Sequence, residues 1–215
     1  EICACLVGSE MCIRDRATPD AYEFIKKDIY PCLKDIISTY KKGTDFSIYM
    51  DTDGLIHAGS GLDQVTWMDV RVGDWVATPR HGKPVEINAL WYNALCTMDM
   101  LQTKFGDNDD SYRQLASLVK TSFNKRFWNE NTGCLYDVVD EDDDTIRPNQ
   151  IYAVSLPFTM LDKEREKAIV DTVTDKLYVG CGLRSLDPDH KDYHPIYIGS
   201  LSKRDHAYHQ GTAWG

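Results

Sequence analysis

TDGLIHAGSGLDQVTWMDVRVGDWVATPRHGKPVEINALWYNAL, residues 52–95, sets Trp67, Trp75 and Trp91 beside Asp69, Asp74, Arg80, Lys83 and Glu86, among glycines. Core segments avoid so many charges, and solvated loops avoid so much tryptophan. A surface that grips a sugar needs both. Flat aromatic faces stack on the C–H side of the ring, while carboxylates, amides and guanidinium bond its hydroxyls. The end of the stretch decides the fold class. Pro84 opens a run in which Ile87, Leu90, Trp91, Ala94, Leu95, Met98 and Leu101 recur at helical spacing.

Upstream, Thr18-Pro19 is a helix start, and Phe24, Ile25, Ile29, Leu33, Ile36, Ile37 and Tyr40 recur at helical spacing to about Lys42. Lys41, Lys42 and Gly43 make a suitable C-terminus. Residues 47–50 and 55–58 flank Asp51-Thr52-Asp53-Gly54, which predicts a short hairpin. Residues 59–82 read as irregular. Downstream, Asp109-Asp110-Ser111 begins a helix with Leu115, Leu118, Val119 and Phe123 on its buried stripe. Asn131-Thr132-Gly133 turns into a strand over 134–139. The acidic run 140–144 reads as a solvated loop, because it lacks the glycine and distal glutamate of a calcium loop. Residues 148–161 and 162–176 read as two more helices, and 177–215 as loop-rich.

Helices in succession, with small hairpins in the loops, predict a mostly all-α fold; no β-α-β alternation supports a doubly wound sheet. There is no Gly-rich phosphate loop, G-x-S-x-G or H-E-x-x-H. The chain has 215 residues, 42% hydrophobic and 27% charged, ordinary for a globular protein. A net charge of −10 disfavours a nucleic-acid partner, which wants a basic stripe. No window reaches the ~18 apolar residues of a membrane span. Seven scattered cysteines, an odd number, read as reduced thiols of a cytoplasmic compartment. The cluster Cys3, Cys5 and Cys12 lacks a second ligand pair at zinc spacing. Its string CLVGSEMCIRDR resembles translated adapter read-through. Residues 1–16 are therefore expected to be a non-native leader, and 17–215 the domain.

Several side chains could carry chemistry. Asp69, beside Trp67 and Met68, suits a proton donor, since apolar neighbours favour a neutral carboxyl; alternatively it closes a turn. Asp74 bonds a hydroxyl or caps a turn. Arg80 forks onto hydroxyls or forms an internal ion pair. Glu86 lines a cleft or answers the dipole of its helix. Trp91 is a sugar platform or core. His209, Gln210 and Trp214 have the types of a hydroxyl-binding wall. No His/Asp/Ser spacing argues for a nucleophilic triad.

Taken together, TWMD, GDWVATPR, GKPVEINALWYNAL, CGLRSLDPD and YHQGTAW resemble, in order, the C-terminal amylo-α-1,6-glucosidase domain of glycogen debranching enzymes, over about residues 18–215. The resemblance implies an (α/α)6 barrel with its site at one end, no metal or organic cofactor, and inverting hydrolysis of α-1,6-linked glucose in glycogen or a branched α-glucan. It places the general acid on Asp69 and substrate binding on Trp67, Asp74, Trp75, Arg80, Glu86, Trp91, His209, Gln210 and Trp214. The family's second carboxylate lies downstream of its Tyr-His-Gln-Gly string, and about five of twelve helices are legible here. A truncated barrel, inactive alone, is the expectation. The rival readings are a glucoamylase- or trehalase-type barrel, a non-catalytic glycan-binding module, and a sugar isomerase or epimerase using His206 and His209.

Overall fold

The computed structural model describes residues 19–107 and 109–214. The expectations for residues 1–16, with Cys3, Cys5 and Cys12, fall outside these.

Helix α1 (Pro19–Phe24) runs through a wider π-helical turn, Ile25–Ile29, into α2 (Tyr30–Lys42). The cause of the widening is local. Pro31 has no N–H for the Lys27 carbonyl, and its ring crowds that carbonyl. Just before it the ladder opens, and the Tyr30 N–H reaches back to the Ile25 carbonyl. Strands β1 (Tyr49–Met50) and β2 (Ile56–His57) pair antiparallel around the 51–54 turn. The 59–82 stretch, read as irregular, holds a hairpin of β3 (Arg71–Val72) and β4 (Trp75–Val76). Gly73 opens its two-residue turn at φ 61°, a conformation glycine adopts without strain.

Strand β5 (Lys83–Pro84) leads into α3 (Val85–Phe105), the centre of the core. It buries Ala89, Leu95, Met98 and Leu101 on more than one face because it has neighbours on several sides. Helix α4 (Ser111–Arg126) joins the same core through Val119 and Phe123. Helix α2 meets α3 through Tyr30 on Phe105, ring centroids 5.3 Å apart, and Tyr40 on Trp91 at 6.4 Å.

The single strand expected over 134–139 is two. Strand β6 (Trp128–Asn129) pairs with β7 (Cys134–Leu135), whereas β8 (Val138–Val139) pairs with β5. The partner changes at Tyr136 and Asp137, whose N–H groups bond the carbonyls of Phe127 and Asp143. The helix expected over 148–161 is also cut short, to a 3-10 turn at Pro148–Ile151 and α5 (Tyr152–Ser155). Pro157 disfavours a helical residue before it, and Leu156 is extended at φ −74°, ψ 154°. Helix α6 (Lys163–Leu177) starts at Asp162, whose side chain accepts from the Arg165 N–H, and buries Ile169, Val173 and Leu177. Strand β9 (Leu183–Arg184) pairs with β10 (Ala213–Trp214), and α7 (Leu201–Ala207) lies between them in sequence.

The acidic run is only partly a solvated loop. Asp140 pairs with Arg126 and lies 3.7 Å from the buried Lys83 ammonium. Lys83 also meets Asp51 at 2.8 Å and Asp53 at 3.0 Å, and Arg126 meets Asp53 at 2.7 Å. These five groups tie the 51–54 turn to β5 and α4. The architecture is helix-rich with two-stranded sheets, and among the described residues the helices do not close into a ring.

Candidate active site

The Trp67-Met68-Asp69 string sends its side chains three ways. Trp67 faces outward, its indole N–H donating to Asn149 Oδ1 at 3.0 Å. Met68 is fully buried, with its sulfur 3.6 Å from Arg147 Nη1 and from Asn149 Nδ2. Asp69 turns back on its own loop. Its Oδ2 accepts from the N–H groups of Val65 (2.8 Å) and Thr66 (3.0 Å), and its Oδ1 from the Thr66 hydroxyl (3.0 Å). The half-buried carboxylate is therefore held in a fixed place, two residues from an exposed indole.

Behind Trp67 lies a buried polar wall. The Arg80 guanidinium forks onto both oxygens of Glu86, with Nη2 to Oε2 at 2.7 Å and a closer contact from Nη1 to Oε1. Arg80 Nε donates to Asp137 Oδ2 at 2.7 Å. Asn149 Nδ2 donates to Asp137 Oδ1 at 2.8 Å, so a continuous path runs from Glu86 to Trp67. Burial by itself would push the Arg80 pKa down, but the Asp137 and Glu86 carboxylates outweigh it and hold the group above its ordinary value. Arg80 is fully buried, and only this pairing makes that tolerable.

A second buried guanidinium ties in the end of the chain. Arg147 Nη1 donates to the carbonyls of Ser185 (3.1 Å) and His209 (2.8 Å), and Nη2 to Gln210 Oε1 at 3.2 Å. Gln210 Nε2 in turn donates to the Ala77 carbonyl at 2.7 Å. His209 sits among rings, stacked on Trp214 at 4.9 Å and edge-on to Trp67 at 4.9 Å and Tyr208 at 4.0 Å. It is 1% exposed, and neither ring nitrogen has a hydrogen-bond partner among the described residues. Burial first, then the charges of Arg147 and Arg80, lower its pKa to about 4, so the ring is neutral near pH 7. Tyr197, Tyr208, Thr212, Ala213 and Trp214 line an adjoining hollow of about 240 Å³.

The structure thus gathers Trp67, Arg80, Glu86, His209, Gln210 and Trp214 into one connected assembly, with the Asp69 loop attached at Trp67. Others stand apart from it. Asp74 lies exposed in the β3–β4 turn, 3.7 Å from Arg71. Trp75 stacks on His206 of α7 at 4.3 Å. Trp91 is core, with its indole N–H on the Gly54 carbonyl at 3.0 Å. Sequence reading missed Asp137, Arg147, Asn149 and Tyr208. A signal existed for Asp137, a lone acid in an otherwise apolar run, which must find a partner. For Asn149 there was none.

A family model described as amylo-alpha-1,6-glucosidase matches residues 12–215. The glycogen debranching enzyme of Saccharomyces cerevisiae (strain ATCC 204508 / S288c) is 28% identical over 222 residues, covering 80% of this chain. The chain spans 14% of the length of that curated relative.

Proposed function

Because the chain belongs to the amylo-alpha-1,6-glucosidase family, we propose that it carries the acid-bearing part of a glycoside hydrolase that removes α-1,6-linked glucose at branch points of a glycogen-like glucan, with inversion. In this reading its helices are a segment of an (α/α)6 ring with the site at one end, and residues 17–215 belong to that domain. The enzyme is placed in the cytoplasm with glycogen or a branched α-glucan as its partner. The observation that supports it best is the assembly around Trp67: exposed indoles at positions 67 and 214, a buried neutral imidazole between them, and a rigid ionic wall behind.

The glucose unit stacks on the Trp67 and Trp214 rings, while the fixed polar wall holds those rings in register. Asp69 gives its proton to the glycosidic oxygen as the bond to the anomeric carbon breaks. Water attacks that carbon from the opposite face and loses a proton to a base. Glu86 and Asp137, the carboxylates of the wall, are both bound by Arg80, so neither is assigned as the base.

The test is Asp69→Asn in a turnover-competent enzyme containing this chain. The expected result is a loss of about 10²–10⁴-fold in kcat on a limit dextrin, with KM nearly unchanged. Debranching retained at the parent rate rejects the assignment. Proton NMR of the first sugar released should show β-glucose, as inversion requires.

A further inference from the structure

Away from Trp67, helix α2 and the loop after it form an open hollow of about 420 Å³, within the roughly 300–1,000 Å³ of small-ligand sites. Asp35, Ile36 and Thr39 line it from α2, and Asp45, Phe46 and Ile48 from the loop. Phe46 is 64% exposed, with its backbone at φ 60° and Ser47 following at φ 53°. Such angles are costly for a phenylalanine and persist only where neighbours enforce them. The Phe46 carbonyl accepts from the Gly59 N–H at 3.0 Å, and the Ser47 carbonyl lies 3.1 Å from His57 Nδ1. The loop thus holds a phenyl ring out in water.

The lining selects the ligand's chemistry. Asp35 and Asp45 have no side-chain partner among the described residues, and no Lys or Arg lines the hollow. An anionic ligand is repelled, and a purely apolar one meets two carboxylates; between a cation and a neutral polyol, the proposed function favours the polyol. A neutral polyol with one C–H face satisfies both surfaces, since its hydroxyls donate to the acids and its C–H face stacks on the ring. We infer that this hollow is a second α-glucan-binding site, sharing no residue with the assembly around Trp67. The sugar class rests on the proposed function. A polymer held at two points on one protein gains apparent affinity from its effective concentration at the second.

Native gel electrophoresis of this chain through glycogen, with titration by maltoheptaose, tests the idea. Phe46→Ala should weaken retardation about five-fold, the size of an aromatic stacking contribution, while circular dichroism stays unchanged. Phe46→Tyr should restore retardation, and the loss should persist in a Trp214→Ala background. If Phe46→Ala migrates as the parent while Trp214→Ala is impaired, the second site is refuted and the sugar reading stands. If neither variant has an effect, both fall. Binding of polylysine at Phe46 in place of maltoheptaose would also overturn the inference, because it makes the acids a basic-peptide site.

Discussion

His209 shows how one residue is shaped by surroundings that its sequence neighbours do not reveal. Its φ of 58° is in the left-handed region, where histidine is better tolerated than most residues. The fold also keeps its ring neutral. Below pH 6.5 the unfolded chain takes up a proton that the folded ring refuses until about pH 4. Stability is therefore lost as pH falls from about 6.5 to about 4, by up to about 3 kcal/mol. Urea denaturation across that window should show the loss in the parent and its absence in His209→Asn, which suits the same backbone. Asp51 and Asp53 act elsewhere. The Lys83 hydrogen bond lowers Asp51; at Asp53, burial is opposed and exceeded by hydrogen bonds from Lys83 and Arg126. Their stabilisation is lost only as pH falls below the ordinary aspartate range. At this scale the sequence showed which side-chain types suit a sugar. Whether Arg80 meets a hydroxyl or a carboxylate was not legible, because one of its partners, Asp137, lies 57 residues away.

Among the elements, those set by local rules were readable and those set by pairing were not. Helices α2, α3, α4 and α6 stand close to where apolar spacing places them. The helix expected over 148–161 fails at Pro157, a local signal that outweighs the apolar content around it. The division of the 134–139 run into β7 and β8 follows from which strands lie alongside, and so could not be read locally. That division turns Asp137 inward toward Arg80. Gly82 guards the pairing of β5 with β8. It sits at φ 105°, and a Cβ there would lie 2.8 Å from the Val139 carbonyl oxygen. Gly82→Ala should cost about 1–3 kcal/mol by combining backbone strain with that clash. A shift of the urea midpoint at unchanged slope would measure it, and an unchanged midpoint would show that the strands tolerate the methyl group.

At the scale of the molecule, Arg147 is the joint between the helical core and the last thirty or so residues. It holds Ser185, His209 and Gln210 together, from inside. Arg147→Met keeps the volume and contact with Met68 but removes every donor. Hydrogen exchange should then accelerate over residues 185–214 while α3 and α4 keep their protection. Uniform exchange loss would instead make Arg147 a general stabiliser. The sequence alone determined the helical character, the turns at 51–54 and 131–133 and the pairing of tryptophan with charge, because spacing and glycine chemistry act over a few residues; the Gly73-Asp74 turn was not read. Only the tertiary structure decided which charges form a dry wall and which reach solvent. The solvation cost of burying a guanidinium is offset by whichever carboxylates, as at Arg80, or carbonyls, as at Arg147, the packing brings to it, however far along the chain they lie.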